Sequence, residues 1–418
     1  MVSFANGQIF PFTNFVLKSN LILKISMMVV TGLEKLSRAN FSQLKGKQIG
    51  LLCNQASITA YFSHVIDLFF EAHKQAKLEL NAIFGPQHGL RGHTQDNMIE
   101  WQGYHDEKTG VPIVSLYGEH RKPTPEMLTG LNALVIDLQD VGSRYYTFIW
   151  TMALCMEACQ DAGIAIIVLD RPNPIGGTQV EGSLLDEKYR SFVGWHSLPV
   201  RHGLTIGEIA QYFKNQFYPN LSLQVISMDG WKREMYFDNT RLPWGIPSPN
   251  MPVPETALVY PGMCLLEATN ISEGRGTTRP FEIFGAPWID GWKFSQHLHS
   301  LKLPGVHFRP LQFQPTFNKY QGEICEGCFI HVTDRNSHKP FLTGIAVILE
   351  TFRLYSDKFE WKQPPYEYEF EKMPFDILVG NNWIRDMINN LSTLKEVEAG
   401  WEKEISSFIK KRYEYFLY

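Results

Sequence analysis

Residues 260–291 (YPGMCLLEATNISEGRGTTRPFEIFGAPWIDG) gather side chains suited to acid–base chemistry. The stretch holds the carboxylates Glu267, Glu273, Glu282 and Asp290, the guanidinium groups of Arg275 and Arg279, the amide of Asn270, and hydroxyls at Ser272, Thr277 and Thr278. Gly274 and Gly276 flank Arg275, and glycines there let backbone N–H groups approach a ligand or take positive φ. Cleaving a glycosidic bond needs one carboxyl to protonate the leaving oxygen and usually a second as base or nucleophile. Glu273, between Ser272 and Gly274, is the leading general-acid candidate, with Glu267 six residues earlier as its partner. Glu181 in VEG and Asp140 in QDVG are further carboxylate candidates. Taken one at a time, each of these is more simply a salt-bridge partner or a helix cap.

Other polar groups fall in loops. His88 and His93 flank Gly89, Arg91 and Gly92; they could hold a metal, but no third ligand stands near, and hydrogen bonding to a sugar or carboxylate fits them better. Arg91, Arg144, Arg171, Arg201, Arg275 and Arg279 are all in polar loops, where a planar guanidinium suits bidentate binding of a carboxylate. Tyr145, Tyr146, Trp195, Trp244 and Trp288 could line a sugar-stacking cleft. Ser115 and Ser183 lack the GxSxG elbow of a nucleophilic serine, and no Walker-type phosphate loop occurs.

The elements that must position these groups alternate between strand and helix. Apolar runs at 47–54, 80–84, 111–116, 133–138 and 165–169 read as buried strands, separated by helical spacing at 62–77 and 149–161. Continuous apolar strands alternating with helices predict a parallel sheet covered on both faces, an α/β, Rossmann-like arrangement. Ligands of such sheets sit outside the carboxyl ends of the strands. The polar loops at 54–57, 85–101, 139–146 and 170–177 all fall there. No GxGxxG follows the first strand, so a dinucleotide cofactor is not expected. Further on, 206–217 reads as a helix and 223–228 as a strand, while 242–254 is too rich in proline for a regular element. Segments 306–313, 328–332 and 344–349 read as strand or helix pieces of an α+β half, and 371–380 as a late polar loop. The expected organisation is a tail at 1–31, a Rossmann-like subdomain at 32–255 and a smaller α+β subdomain at 256–418.

Bulk properties narrow the function class. A chain of 418 residues favours two domains, and 44% hydrophobic with 20% charged residues describes an ordinary globular protein. A net charge of −4 without a long basic run gives no nucleic-acid surface. Six cysteines show no disulfide or zinc-ribbon spacing; Cys325 and Cys328 form a lone CxxC. Residues 21–30 are too short and too interrupted by Lys24 to span a bilayer, and they make a poor signal peptide. A cytoplasmic protein is therefore expected, with a periplasmic or secreted one as the alternative; the oligomeric state stays open.

Several blocks occur in order: FGPQHGLRG (84–92), SLYG (115–118), KPTPEML (122–128), DLQDVGSRYYT (137–147), LDRPNPIGG (169–177), VEG (180–182), PVRHGLTIGE (199–208), SPNMP (248–252) and NISEGRGTTRPFEIFGAPW (270–288). Together they resemble the exo-acting β-N-acetylmuramidases of bacterial cell-wall recycling, the NamZ type, from about Gly32 to the C-terminus. The resemblance implies a Rossmann-like subdomain and a smaller one with the site between them. It also implies release of N-acetylmuramic acid from the non-reducing end of muropeptides or other muramic-acid-containing saccharides, with no cofactor. It adds Asn173 and Asn250 to His88, Arg91, Asp140, Arg144, Tyr145, Arg171, Asn270, Arg275 and Arg279 as substrate-binding candidates. The family's acid loop reads roughly PEHGxRGDxxAGE, whereas this chain has Gln87, His93 and Met98 at the three acidic positions. A glutamine cannot donate a proton, so a catalytically impaired sugar-binding homologue is the competing expectation. Otherwise Asp96, Glu100 or Glu273 supplies the acid, or the substrate is modified.

Overall fold

The computed structural model describes residues 28–96 and 98–418. β1 (Gln48–Cys53), β2 (Glu79–Gly85), β3 (Tyr104–His105), β4 (Pro112–Ser115), β5 (Ala133–Asp137), β6 (Ala165–Leu169) and β7 (Leu223–Ile226) form one sheet in the order β3-β4-β2-β1-β5-β6-β7. Only the β3–β4 edge is antiparallel. β5 is buried at every position, as expected for a strand covered by helices on both faces. The remaining strands have the doubly wound order, reversing between β1 and β5. At that reversal the chain fills its own crevice. Asn54 Nδ2 donates to the Pro247 carbonyl at 3.0 Å, and Gln55 Nε2 to the Ile246 and Pro247 carbonyls at 2.9 and 3.0 Å. The proline-rich stretch thus closes over the place where relatives of this fold type hold nucleotides, and the site opens beside it, after β2 and β5.

The second sheet is smaller: β8 (Ile283–Ala286), β9 (Val306–Phe313) and β10 (Cys325–Val332), antiparallel in the order β8-β10-β9. Helix Pro340–Leu354 covers segment 344–349, and helix Pro374–Val379 occupies the expected loop at 371–380, with Pro374 in its first turn and Gly380 at φ 84 ending it. Residues 260–291 are also more regular than a loop: they run from the end of helix Pro254–Met263 through the turn Cys264–Ala268 to β8. Part of the expected tail at 1–31 packs onto the fold. Val29 is fully buried, with Met228 and Trp231 in its cluster, and the Thr31 side chain caps helix Gly32–Arg38; residues 1–27 lie outside the described residues. Among the described residues no helix is long and apolar enough to cross a membrane, and all six cysteines are free and buried.

One apolar core runs through both halves, from Leu52 to Tyr415. Its tightest crossing sets helix Pro254–Met263 against helix Pro340–Leu354. A Cβ on Gly262 would lie 1.9 Å from the Pro340 carbonyl oxygen, and one on Gly344 would lie 2.2 Å from that of Gly262. Backbone meets backbone, so neither neighbour can swing away. Gly344→Ala will therefore destabilise the protein by at least about 1–3 kcal/mol, the cost of overpacking a dense core. The urea unfolding midpoint reads this out; an unchanged midpoint would show that the helices separate freely.

Candidate active site

A cavity of about 30 Å³ lies between the two halves. The first half contributes Gln87 and His88 from the loop after β2, Tyr145 to Phe148 from the segment leading into helix Phe148–Ala162, and Ser248, Asn250 and Met251. The second contributes Tyr260, Glu267, Arg275, Phe281, Tyr366 and Glu367. The volume holds only about one or two waters, less than a pyranose ring needs. The contacts that join the halves include Arg275 Nη1 to Asp96 Oδ1 at 2.6 Å and Asn318 Nδ2 to Asp96 Oδ2 at 2.8 Å. One wall is aromatic: Tyr260 meets Tyr145, Tyr146 and Phe281 edge to face, with centroids 5.7, 5.8 and 4.9 Å away.

Two carboxyls line this cavity, Glu267 and Glu367, and they differ in surroundings. Glu267 is paired with a guanidinium: Arg275 Nη2 donates to Oε1 at 2.6 Å and the Tyr366 hydroxyl to Oε2 at 2.6 Å. Among the described residues, Glu367 has no cation as a hydrogen-bond partner. Gln87 Nε2 donates to its Oε1 at 3.2 Å, and the Tyr117 hydroxyl to its Oε2 at 2.8 Å. Burial pushes the Glu367 carboxyl up to about 7, with the Glu267 charge adding to the rise against the hydrogen bonds from Tyr117 and Gln87. The Gln87 amide is oriented from behind: Thr147 Oγ1 donates to its Oε1 at 2.6 Å, leaving Nε2 for Glu367 and for the Tyr117 oxygen at 3.1 Å.

Backbone conformation sets Glu367 apart. Tyr366 and Glu369 exchange two 2.9 Å backbone hydrogen bonds, so Glu367 and Tyr368 are the central pair of a tight turn. Both have positive φ, 46° and 65°, the pattern usually filled by Asn-Gly or Gly-Gly. Two bulky residues there cost of order 1–3 kcal/mol each. His88, also at positive φ (69°), is the other such residue with a titratable group on the cavity. Burial pushes its imidazole down to about 4, and its Nδ1 donates to the Thr94 carbonyl at 2.9 Å, so it faces a substrate as a neutral ring.

The structure brings together Gln87, His88, Tyr145, Asn250, Glu267 and Arg275 from the sequence candidates. Glu273 stands one layer behind, outside the cavity lining. Lys319 Nζ lies 2.9 Å from it and Arg275 Nε 3.4 Å. Burial opposes the charge, but these two cations hold its carboxyl below the usual range, so the expected general acid is pinned as an anion. Glu181 faces another groove and accepts the N–H groups of Phe341 and Leu342 at 3.2 and 2.8 Å.

The remaining candidates serve the scaffold. Arg144 donates to the carbonyls of Ser183, Leu198 and Leu378, each at 2.7 Å. Arg171 forms a fork on Asp137 at 2.5 and 2.8 Å. Asp140 accepts from the Gly142 N–H, and Asn173 donates to the Leu204 carbonyl. Asn270 ties the chain to Lys358 and Glu360. Arg91 reaches Asp106 at 3.5 Å, and Arg279 reaches Glu282 at 3.4 Å. Arg275 does line the cavity, but Asp96, Glu267 and Glu273 already surround its charge, so it positions acids rather than offering itself to a substrate carboxylate. Sequence reasoning missed Tyr117, Tyr366 and Glu367. The pair Tyr366-Glu367 sits in YEYEFEK, where alternating acids read as a solvated run.

Comparison with known proteins agrees with this architecture. The family models for exo-β-N-acetylmuramidase NamZ match residues 49–255 (N-terminal) and 258–418 (C-terminal). The peptidoglycan β-N-acetylmuramidase NamZ of Bacillus subtilis (strain 168) is 46% identical over 390 residues, 93% of this chain and 91% of that one. Two crystal structures of DUF1343-family proteins from Bacteroides fragilis superpose with TM-scores of 0.83 and 0.71 at 36% and 28% identity; each alignment covers 94% of this chain and 99% of the other. The chain belongs to the exo-β-N-acetylmuramidase NamZ family.

Proposed function

We propose that the protein is a glycoside hydrolase that releases N-acetylmuramic acid from the non-reducing end of peptidoglycan fragments, with the sugar bound between the two halves. The observation that carries this reading is the 46% identity to a peptidoglycan β-N-acetylmuramidase across nearly the whole chain. The cavity suits the chemistry, because it pairs an ion-paired carboxylate, Glu267, with a neutral imidazole and an aromatic wall. Glu267 faces the anomeric carbon, as base, nucleophile or stabiliser of positive charge on the ring. His88 and Asn250 offer hydrogen bonds to ring substituents, and Tyr145 and Tyr146 offer apolar faces. The natural substrate is a muropeptide or another muramic-acid-containing saccharide. The six free thiols favour a reducing, cytoplasmic setting.

The competing reading, a sugar-binding homologue that lost catalysis through Gln87, has no support from the named relative, which is called an enzyme. The test compares two chromogenic substrates, the nitrophenyl glycosides of N-acetylmuramic acid and of N-acetylglucosamine. Release from the muramide alone is the expected result. Release from neither at high protein concentration would remove the hydrolase reading, and equal release from both would remove its specificity.

A further inference from the structure

We infer that Glu367, in the turn at Tyr366–Glu369, is the proton donor of this enzyme and that the Gln87 amide holds its carboxyl in place. The inference rests on the glycosidase reading above and deepens it. Four observations carry it. Glu367 lines the cavity, whereas Glu273 is fixed outside it between Lys319 and Arg275. Its two oxygens are fixed by the Gln87 amide and the Tyr117 hydroxyl, at 3.2 and 2.8 Å, so the carboxyl has one orientation. The backbone holds it at φ 46, in a conformation glutamate rarely adopts. The second carboxyl of the cavity, Glu267, is paired with Arg275 at 2.6 Å, so the two carboxyls stand in different surroundings.

Gln87 then has a positive role. A carboxylate at that position would stand within hydrogen-bond distance of Glu367, and the two would compete for one proton. The amide cannot ionise. It donates to Glu367 while Thr147 fixes its other end. In the reaction, the Glu367 proton passes to the glycosidic oxygen as the C1–O bond breaks and its electron pair goes to that oxygen. The aglycone leaves as an alcohol. Water supplies the hydroxyl to C1, and its remaining proton restores the carboxyl.

The titratable and charged groups around Glu367 are Tyr117, Glu267, Arg275, Tyr366 and Tyr368, with neutral His88 on the same cavity. Arg275 favours ionisation of Glu367 and Glu267 opposes it, while burial dominates both. Loss of the proton as pH rises through about 7 should therefore end turnover of any substrate whose leaving group needs protonation.

The experiment uses the full chain, wild type and Glu367→Gln, with two substrates: the disaccharide N-acetylmuramyl-N-acetylglucosamine, whose sugar leaving group must be protonated, and the dinitrophenyl N-acetylmuramide, whose phenolate leaves unaided. Wild-type kcat/KM for the disaccharide should show a basic limb near pH 7 that the aryl substrate lacks, a result independent of how any variant folds. E367Q should lose about 10²–10⁴-fold on the disaccharide and less than about tenfold on the aryl glycoside. Equal losses on the two substrates, or the same basic limb on both, would overturn the assignment while leaving the glycosidase reading intact. A wild type that cleaves neither substrate would overturn the glycosidase reading, and the assignment with it.

Discussion

Replacing Arg275 by methionine will destabilise the protein by about 3–5 kcal/mol, the cost of removing one partner from a buried charge cluster. Arg275 is 6% exposed and is shared by Asp96, Glu267 and Glu273. Glu273 also meets Lys319, at 2.9 Å, but all three acids lose the guanidinium they share. The charge that gathers these acids at the joint between the halves would be lost, so the cavity loses its geometry together with the fold's stability. Urea unfolding followed by tryptophan fluorescence measures the first effect, and turnover at low temperature the second. A change below about 1 kcal/mol, the range of an exposed pair, would mean that water solvates the cluster.

Glu267→Gln separates chemistry from stability. The amide oxygen can still accept from Arg275, and its NH₂ can meet the Tyr366 hydroxyl, so the hydrogen-bond frame survives. Stability should change by no more than about 1 kcal/mol. The negative charge that serves the anomeric carbon is lost, and kcat should fall by about 10²–10⁴-fold. The proposed role of Glu267, on the ring rather than on the leaving group, predicts a similar loss for sugar and aryl leaving groups, unlike the loss expected for Glu367→Gln. A variant with near-normal kcat would assign Glu267 to the scaffold.

The sequence made the sheet legible because β1, β5 and β6 are buried on both faces, and burial of that kind leaves continuous apolar runs. The loops at the strands' carboxyl ends could be placed for the same reason, and Gln87, His88 and Tyr145 lie on them. The roles of charged residues were much less legible. Arg144 and Arg171 stand in polar loops and carry short polar neighbours, as ligand-binding arginines do, yet their partners are carbonyls and an aspartate remote in sequence, such as Leu378 for Arg144. The surroundings of Glu273 were hidden for a related reason: its nearest cation, Lys319, is 46 residues away and nothing local announces it. Glu367 was invisible because the turn that presents it lacks the Asn-Gly signal of its type, and because Gln87 and Tyr117, its partners, lie 280 and 250 residues away. A departure from a family's pattern at one position was readable. The residue that answers it was not, since compensation in space leaves no mark in spacing.

The most direct test of the account follows the products formed by wild-type protein from a short peptidoglycan oligosaccharide that begins with N-acetylmuramic acid and carries a label at its reducing end. Mass spectrometry should show free N-acetylmuramic acid and a labelled chain shortened by that one sugar, then resistant because N-acetylglucosamine now stands at its non-reducing end. Labelled fragments from internal cleavage, or an intact substrate after prolonged incubation with folded protein, would contradict it.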